Sequence, residues 1–305
     1  MITPNYLKKG DALGVTALSS GTGLEIKDVK ACLNNLKQEF RLIVTKDCFG
    51  DGIVSASDNE RALEFNSLLD EDIKMILILR GGNFLLETID RINYQKVVDK
   101  KIWVGGYSDP STLLYILTTK YDIKTIYGFN AKSYDDITLS YQKENLEILE
   151  GKRFHQESFT KNSLSLQGDF NSSGILIGGC LDAIRNLFGT DYDGTRIFLE
   201  KYHKQRIIWY LDIYAMNSVD TYLTLLQMKM MGYFNYSDVI LIGKIMYPKE
   251  EEITYIEAYK KIFGNKNIVV DTDIGHIRPS FTMINGSMAN ICFKKNNLRI
   301  DIEVK

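Results

Sequence analysis

The chain has 305 residues, 45% of them apolar, and a formal net charge of -2. That length predicts two domains, each able to bury a core. The near-neutral balance leaves no electrostatic footprint for nucleic acid or an anionic membrane surface, and no apolar run approaches the roughly 18–20 residues that span a bilayer. The N-terminal segment lacks the apolar stretch of a signal peptide, so a cytoplasmic protein is expected, with neither nucleic acid nor membrane as partner. Cys32, Cys48, Cys180 and Cys292 are scattered, without a C-x-x-C pair or a histidine at ligand spacing. Neither a disulfide framework nor a metal site is expected, and no cofactor.

Residues 11–18 read as a first buried strand, followed by the turn-prone Ser19-Ser20-Gly21-Thr22-Gly23 and a helix over 25–40. The loop lacks both G-x-G-x-x-G and a phosphate-loop lysine, which argues against nucleotide binding. A polar loop over 51–57 precedes a helix opened by Asp58-Asn59-Glu60-Arg61. Residues 73–79 are almost continuously apolar, as in a sheet covered on both faces. They end in Arg80-Gly81-Gly82, before a helix from about Leu85. The two glycines serve either a close backbone approach to a ligand or a tight turn.

Strand 101–105 leads through Gly106-Tyr107-Ser108-Asp109-Pro110 into a helix over 110–120, and 124–127 is a further strand. Alternating strands and helices predict a mostly parallel α/β sheet, with ligands beyond the carboxyl ends of its strands. Ser19, Gly82 and Ser108 all belong to that edge. Residues 133–172 are polar, with a helix over 141–149 and hairpin strands near Phe154 and Leu164. A domain boundary is placed in 163–169, giving domains 1–165 and 166–305.

The pattern then restarts. Residues 175–179 form a strand, 181–187 a helix, and a Gly/Asp/Thr loop follows. Strand 206–211 delivers Asp212, and 219–231 is a helix. Strand 239–243, helix 250–263 and strand 268–270 lead to the loop holding Gly275-His276. Two strands within 287–304 close the chain as a hairpin.

Ser108 stands at a sharp strand-to-helix turn, which either lifts a hydroxyl out of the sheet or caps a helix. Of the three histidines, His203 is flanked by charges, His155 lies in a polar segment, and His276 follows a glycine just past a strand. Asp212 ends an apolar strand, where a carboxylate needs a partner. The order Ser108, Asp212, His276 is the nucleophile–acid–base order of hydrolases built on α/β sheets, although Pro110 replaces the second glycine of G-x-S-x-G.

Together with Gly10-Asp11, Asn59-Glu60-Arg61-Ala62, Gly178-Gly179 and Gly189-Thr190, these motifs resemble the LD-carboxypeptidase family of serine peptidases (family S66), which includes microcin C self-immunity proteins. The resemblance covers essentially the whole chain. It implies a flavodoxin-like N-terminal domain, a smaller swivelling β/α C-terminal domain, and a homodimer. It implies Ser108 as nucleophile, His276 as general base, and the N–H groups of Asp109 and Gly82 as oxyanion hole. The family's acid is a glutamate after a motif like Trp209-Tyr210-Leu211, and here that place holds Asp212. One methylene shorter, the aspartate is expected to fall about 1.5 Å short of His276, so that either the backbone compensates, or the enzyme is slow, or another acid serves. Cys180 replaces a commonly found asparagine, read as a packing change.

The implied substrate is a murein tetrapeptide losing its terminal D-amino acid during peptidoglycan recycling, with Arg80 on the terminal carboxylate. The alternative is a peptidyl- or aminoacyl-nucleotide, with Tyr134, Phe154 or Phe159 stacking on the purine. A non-catalytic binding protein on the same scaffold is a third reading.

Overall fold

The computed structural model describes residues 1–303, so Val304, placed at the end of the closing hairpin, lies outside the described residues. The chain divides into two compact units, Met1–Phe154 and His155–Lys305, of almost equal length. The second is therefore scarcely the smaller domain expected.

The first unit runs β1 (Ala12–Thr16), α1 (Ile26–Leu36), β2 (Arg41–Val44), α2 (Asp58–Leu68), β3 (Met75–Ile78), α3 (Tyr94–Lys100), β4 (Trp103–Gly106), α4 (Ser111–Tyr121), β5 (Thr125–Tyr127) and α5 (Ser140–Leu149). Within it the strands lie in the order β2-β1-β3-β4-β5, all parallel. This is the flavodoxin-like order, whose ligand edge is at the carboxyl ends of the strands. The residues of β1, β3, β4 and β5 are all buried, which accounts for their largely apolar sequences. Ser57 and Glu60 form a capping box at the start of α2, fixing where that helix begins. Residues Ser111 to Thr119 of α4 are all buried, so this helix shows no polar face.

Two details depart from expectation. Strand β2 is absent from the sequence reading: it is four residues on a sheet edge, half exposed, with no alternation to betray it. The helix expected from Leu85 is a 3₁₀ segment, Leu85–Arg91. Side chains take up its opening groups: the Leu85 N–H donates to the Asp109 carboxylate at 3.0 Å, and Thr88 Oγ1 donates to the Leu85 carbonyl at 2.8 Å.

The second unit comprises β6 (His155–Glu157), β7 (Leu164–Ser165), β8 (Phe170–Cys180), α6 (Leu181–Ile184), α7 (Thr195–Tyr202), β9 (Ile207–Asp212), α8 (Ser218–Met230), β10 (Ser237–Gly243), α9 (Tyr255–Phe263), β11 (Asn267–Thr272), β12 (Met283–Asn285), β13 (Met288–Lys294) and β14 (Asn297–Ile302). Its sheet has the order β6-β14-β13-β8-β9-β10-β11-β7. The central β8, β9, β10 and β11 are parallel, and antiparallel strands flank them on both sides.

Strands near Phe154 and Leu164 are present, but they do not form a hairpin. β6 pairs with β14 and β7 with β11, at opposite ends of the sheet. These hydrogen bonds draw the segment into the second unit, so the boundary moves from 165/166 to Phe154/His155. The Gly/Asp/Thr loop is present, and helix α7, which the sequence reading did not assign, follows it with Thr195, Phe198, Leu199 and Tyr202 as its buried face. Among the described residues, no helix is long and apolar enough to cross a membrane.

Candidate active site

In the first unit, β4 ends at Gly106 and α4 begins at Ser111. Between them Ser108 adopts φ +71°, a left-handed conformation costly for a residue with a side chain. The turn is tight: a Cβ at Gly106 would lie 2.7 Å from the Pro110 Cβ. Asn130 clamps it, its Oδ1 accepting the Tyr107 N–H at 3.0 Å and its Nδ2 donating to the Tyr107 carbonyl at 3.2 Å. Ser108 is thus held against backbone strain by the tight turn and a side-chain clamp on its neighbour.

Of the glycine pair, Gly81 meets this serine directly and Gly82 meets Ser19 and Ser20. A Cβ at Gly81 would stand 2.8 Å from the Ser108 Cβ and 2.9 Å from its Oγ, while one at Gly82 would stand 2.2 Å from the Ser19 Oγ and 2.6 Å from the Ser20 Oγ. Close approach is therefore what these glycines provide. Ser19, Gly82 and Ser108 share one edge of the sheet, as the topology predicted. Ser19 Oγ accepts the Phe84 N–H at 3.1 Å. Fully buried Arg61 ties the two loops together, donating to the carbonyls of Leu18 at 2.6 Å and Phe84 at 2.9 Å, and to Glu87 Oε2 at 2.6 Å.

Asp109 is buried, and its carboxylate receives the Leu85 N–H. Burial pushes its pKa up, with Ser19 and backbone donors opposing the shift. Arg80 lies 2.8 Å from Glu25 Oε2, and Lys132 pairs with the same carboxylate. Lys132 foremost, then Arg80, holds the Glu25 carboxyl below its usual range. The expected carboxylate-binding arginine therefore already has an anionic partner, although two cations face one Glu25.

In the second unit, β9 ends at Asp212, which is entirely buried. Its Oδ2 lies 2.7 Å from His276 Nδ1. The shorter aspartate does reach the imidazole, and the backbone is the reason. A Cβ on Gly275, at φ +93°, would lie 2.1 Å from the Asp212 carboxyl carbon. The missing side chain leaves the carboxylate room against the histidine loop. The Tyr214 ring packs on the imidazole with centroids 4.2 Å apart, and Tyr247 meets Tyr214 edge-on at 5.3 Å. Asp182 sets that loop, accepting the N–H groups of Tyr214 at 2.9 Å and Ala215 at 3.0 Å.

Cys180 ends β8 and is the register neighbour of Asp212. Burial first, then the charges of Asp212 and Asp182, pushes its thiol pKa well up. Cys180, Asp212 and His276 carry donor atoms within 4.8 Å of one another, a grouping the linear spacing concealed. The other histidines are engaged elsewhere: His155 lies 2.6 Å from Asp301, and His203 Nδ1 lies 2.7 Å from the Glu200 carbonyl. Tyr134 is buried against Phe129 and has no face for a purine. Phe154 packs on Tyr6, and Phe159 on Phe281.

Asn130, Asp182 and Tyr214 were not singled out in the sequence. Each acts through a loop contact that no periodicity encodes. Arg61 was visible only as part of a motif, and a charged residue on an otherwise apolar helix face is the one signal that marks it.

Comparison with known proteins agrees with this architecture. The LD-carboxypeptidase N-terminal domain profile matches residues 13–128, and the LD-carboxypeptidase C-terminal domain profile matches residues 173–291. The chain is 22% identical over 284 residues to the microcin C7 self-immunity protein MccF of Escherichia coli, covering 81% of this chain and 79% of that protein. A solved structure of MccF in complex with aspartyl sulfamoyl adenosine superposes with TM-score 0.82 at 18% identity, covering 99% of this chain and 98% of that one. The muramoyltetrapeptide carboxypeptidase from Oxalobacter formigenes superposes with TM-score 0.77 at 16% identity, covering 96% and 99%.

Proposed function

Because the chain belongs to the LD-carboxypeptidase family, a family of hydrolases, we propose that it is a serine peptidase in which Ser108 is the nucleophile, His276 the base and Asp212 the orienting acid. The observation that carries this reading is the buried Asp212 carboxylate 2.7 Å from His276 Nδ1. An acid so placed keeps the Nδ1 proton, leaves Nε2 as the free base, and stabilises the imidazolium that forms.

In this reading His276 Nε2 takes the Ser108 hydroxyl proton as Oγ attacks the scissile carbonyl carbon. The N–H groups of Asp109 and Gly82 receive the developing oxyanion. The imidazolium then protonates the leaving amine as the amide bond breaks. Water, activated by the same imidazole, releases the acyl group from Ser108. None of these steps calls on a metal.

We assign the substrate as a murein tetrapeptide, cleaved before its terminal D-amino acid. The surplus positive charge of Arg80 and Lys132 against Glu25 suits a terminal carboxylate. A second reading, cleavage of a peptidyl- or aminoacyl-nucleotide, is favoured by the half-exposed Tyr214 and Tyr247 rings beside His276, which offer a face to a planar base. The same proposal makes the protein a homodimer, which sedimentation of the purified chain decides.

The test incubates the protein in EDTA with a murein tetrapeptide and, separately, with an aminoacyl sulfamoyl adenosine. Release of D-alanine is the expected result, and release of sulfamoyl adenosine with the free amino acid instead selects the second reading. Either activity must vanish in Ser108→Ala. Neither product from a folded protein overturns the peptidase and leaves a binding protein.

A further inference from the structure

We propose that Cys180, Asp212 and His276 form a site for a soft divalent cation of the zinc class, and that filling it withdraws the imidazole from catalysis. The three side chains come from the end of β8, the end of β9 and the loop after β11, and their donor atoms lie within 4.8 Å of one another. A tetrahedral zinc ion with bonds of about 2.0–2.3 Å holds its ligands about 3.4–3.7 Å apart. Closure therefore draws the thiol in by about 1 Å and opens the Asp212–His276 contact from 2.7 Å by a similar amount.

The charges also balance. Thiolate and carboxylate together offset the two positive charges of the ion, so the filled site is neutral where Cys180 and Asp212 are buried. On binding, the thiol releases its proton to solvent and the ion–sulfur bond forms. The imidazole proton moves from Nδ1 to Nε2, and the Nδ1 lone pair goes to the metal. The fourth position is left to water at the exposed edge of His276, whose side chain keeps 11% of its accessible surface. Asp182, 3.9 Å from the Cys180 sulfur, stays bound to the Tyr214 and Ala215 N–H groups and orients the site from behind. A buried thiol with no part in acyl transfer gains a role here.

The test is a titration of the purified, reduced full-length protein with Co²⁺, read by absorption. One equivalent per chain is expected to raise a thiolate-to-cobalt charge-transfer band with tetrahedral d–d bands, and Zn²⁺ should displace both. Cys180→Ser is expected to lose the charge-transfer band, His276→Ala to weaken binding at least tenfold, and Cys292→Ser to change nothing. No band in the unmodified protein overturns the site whether or not any variant folds. So does a band that survives in folded Cys180→Ser. Loss of D-alanine release on adding Zn²⁺ is the consequence for activity; it rests on the peptidase reading, whereas the spectrum does not.

Discussion

Gly275 and Asp212 share a space that only one of them can fill: a Cβ at Gly275 would come within 2.1 Å of the Asp212 carboxyl carbon and both carboxylate oxygens would crowd it. Gly275→Ala therefore pushes Asp212 away from His276 and places alanine at φ +93°. The expected outcome is a loss of about 2–4 kcal/mol of stability and at least a 100-fold fall in kcat for D-alanine release. Urea denaturation and steady-state kinetics read the two effects separately. Wild-type activity in this variant would show that the Asp212 contact is dispensable.

Restoring the family's glutamate is not expected to help this chain. Asp212→Glu inserts a methylene into a fully buried position that already touches Gly275. Activity should drop rather than rise, by roughly tenfold or more, from about 1 Å of displacement at the imidazole. Asp212→Asn, which keeps the volume but favours the wrong tautomer, should cost on the order of 10⁴ in kcat, as loss of the acid's charge does in a Ser-His-Asp triad. Comparing kcat of the two variants tests whether length or charge matters more.

Ser108 holds a strained, left-handed backbone. Glycine accepts φ +71° without penalty. Ser108→Gly should thus be inactive yet at least as stable as the parent, with a gain of about 1 kcal/mol where strain relief exceeds lost contacts. Thermal melting decides it. A clear destabilisation would mean that the serine side chain, not the strain, dominates the turn.

Asp47 is another buried carboxylate, near the end of β2, held by Thr45, Thr16 and the Ala17 N–H. Burial nonetheless wins over these donors and raises its pKa from 3.8 to about 6. A folded-state pKa above the unfolded one means that the native protein binds the extra proton. Stability is highest below about pH 4 on this account and declines as pH rises through about 6, by roughly 3 kcal/mol in total. Asp47→Asn removes this slope. Denaturant midpoints at pH 4.5 and 7 should show the variant gaining on the parent at the higher pH. Parallel midpoints would refute it.

Much of this molecule was readable along the chain. Largely apolar runs marked β1, β3, β4 and β9, because a strand buried on both faces carries its environment in its composition. Ser108 was legible because a strand, two glycines and a proline-led helix define its turn locally. What tertiary structure alone decided lies where contacts are long in sequence. The segment around residues 155–165 joins the second unit because of two edge pairings with distant strands. The reach of Asp212 depends on an empty volume at Gly275, 63 positions later in the chain. The meeting of Cys180, Asp212 and His276 depends on parallel register between β8 and β9 and on a loop from a third strand. Periodicity reports which face a residue turns inward. It carries no record of which other residue waits there, since that is set by packing between elements.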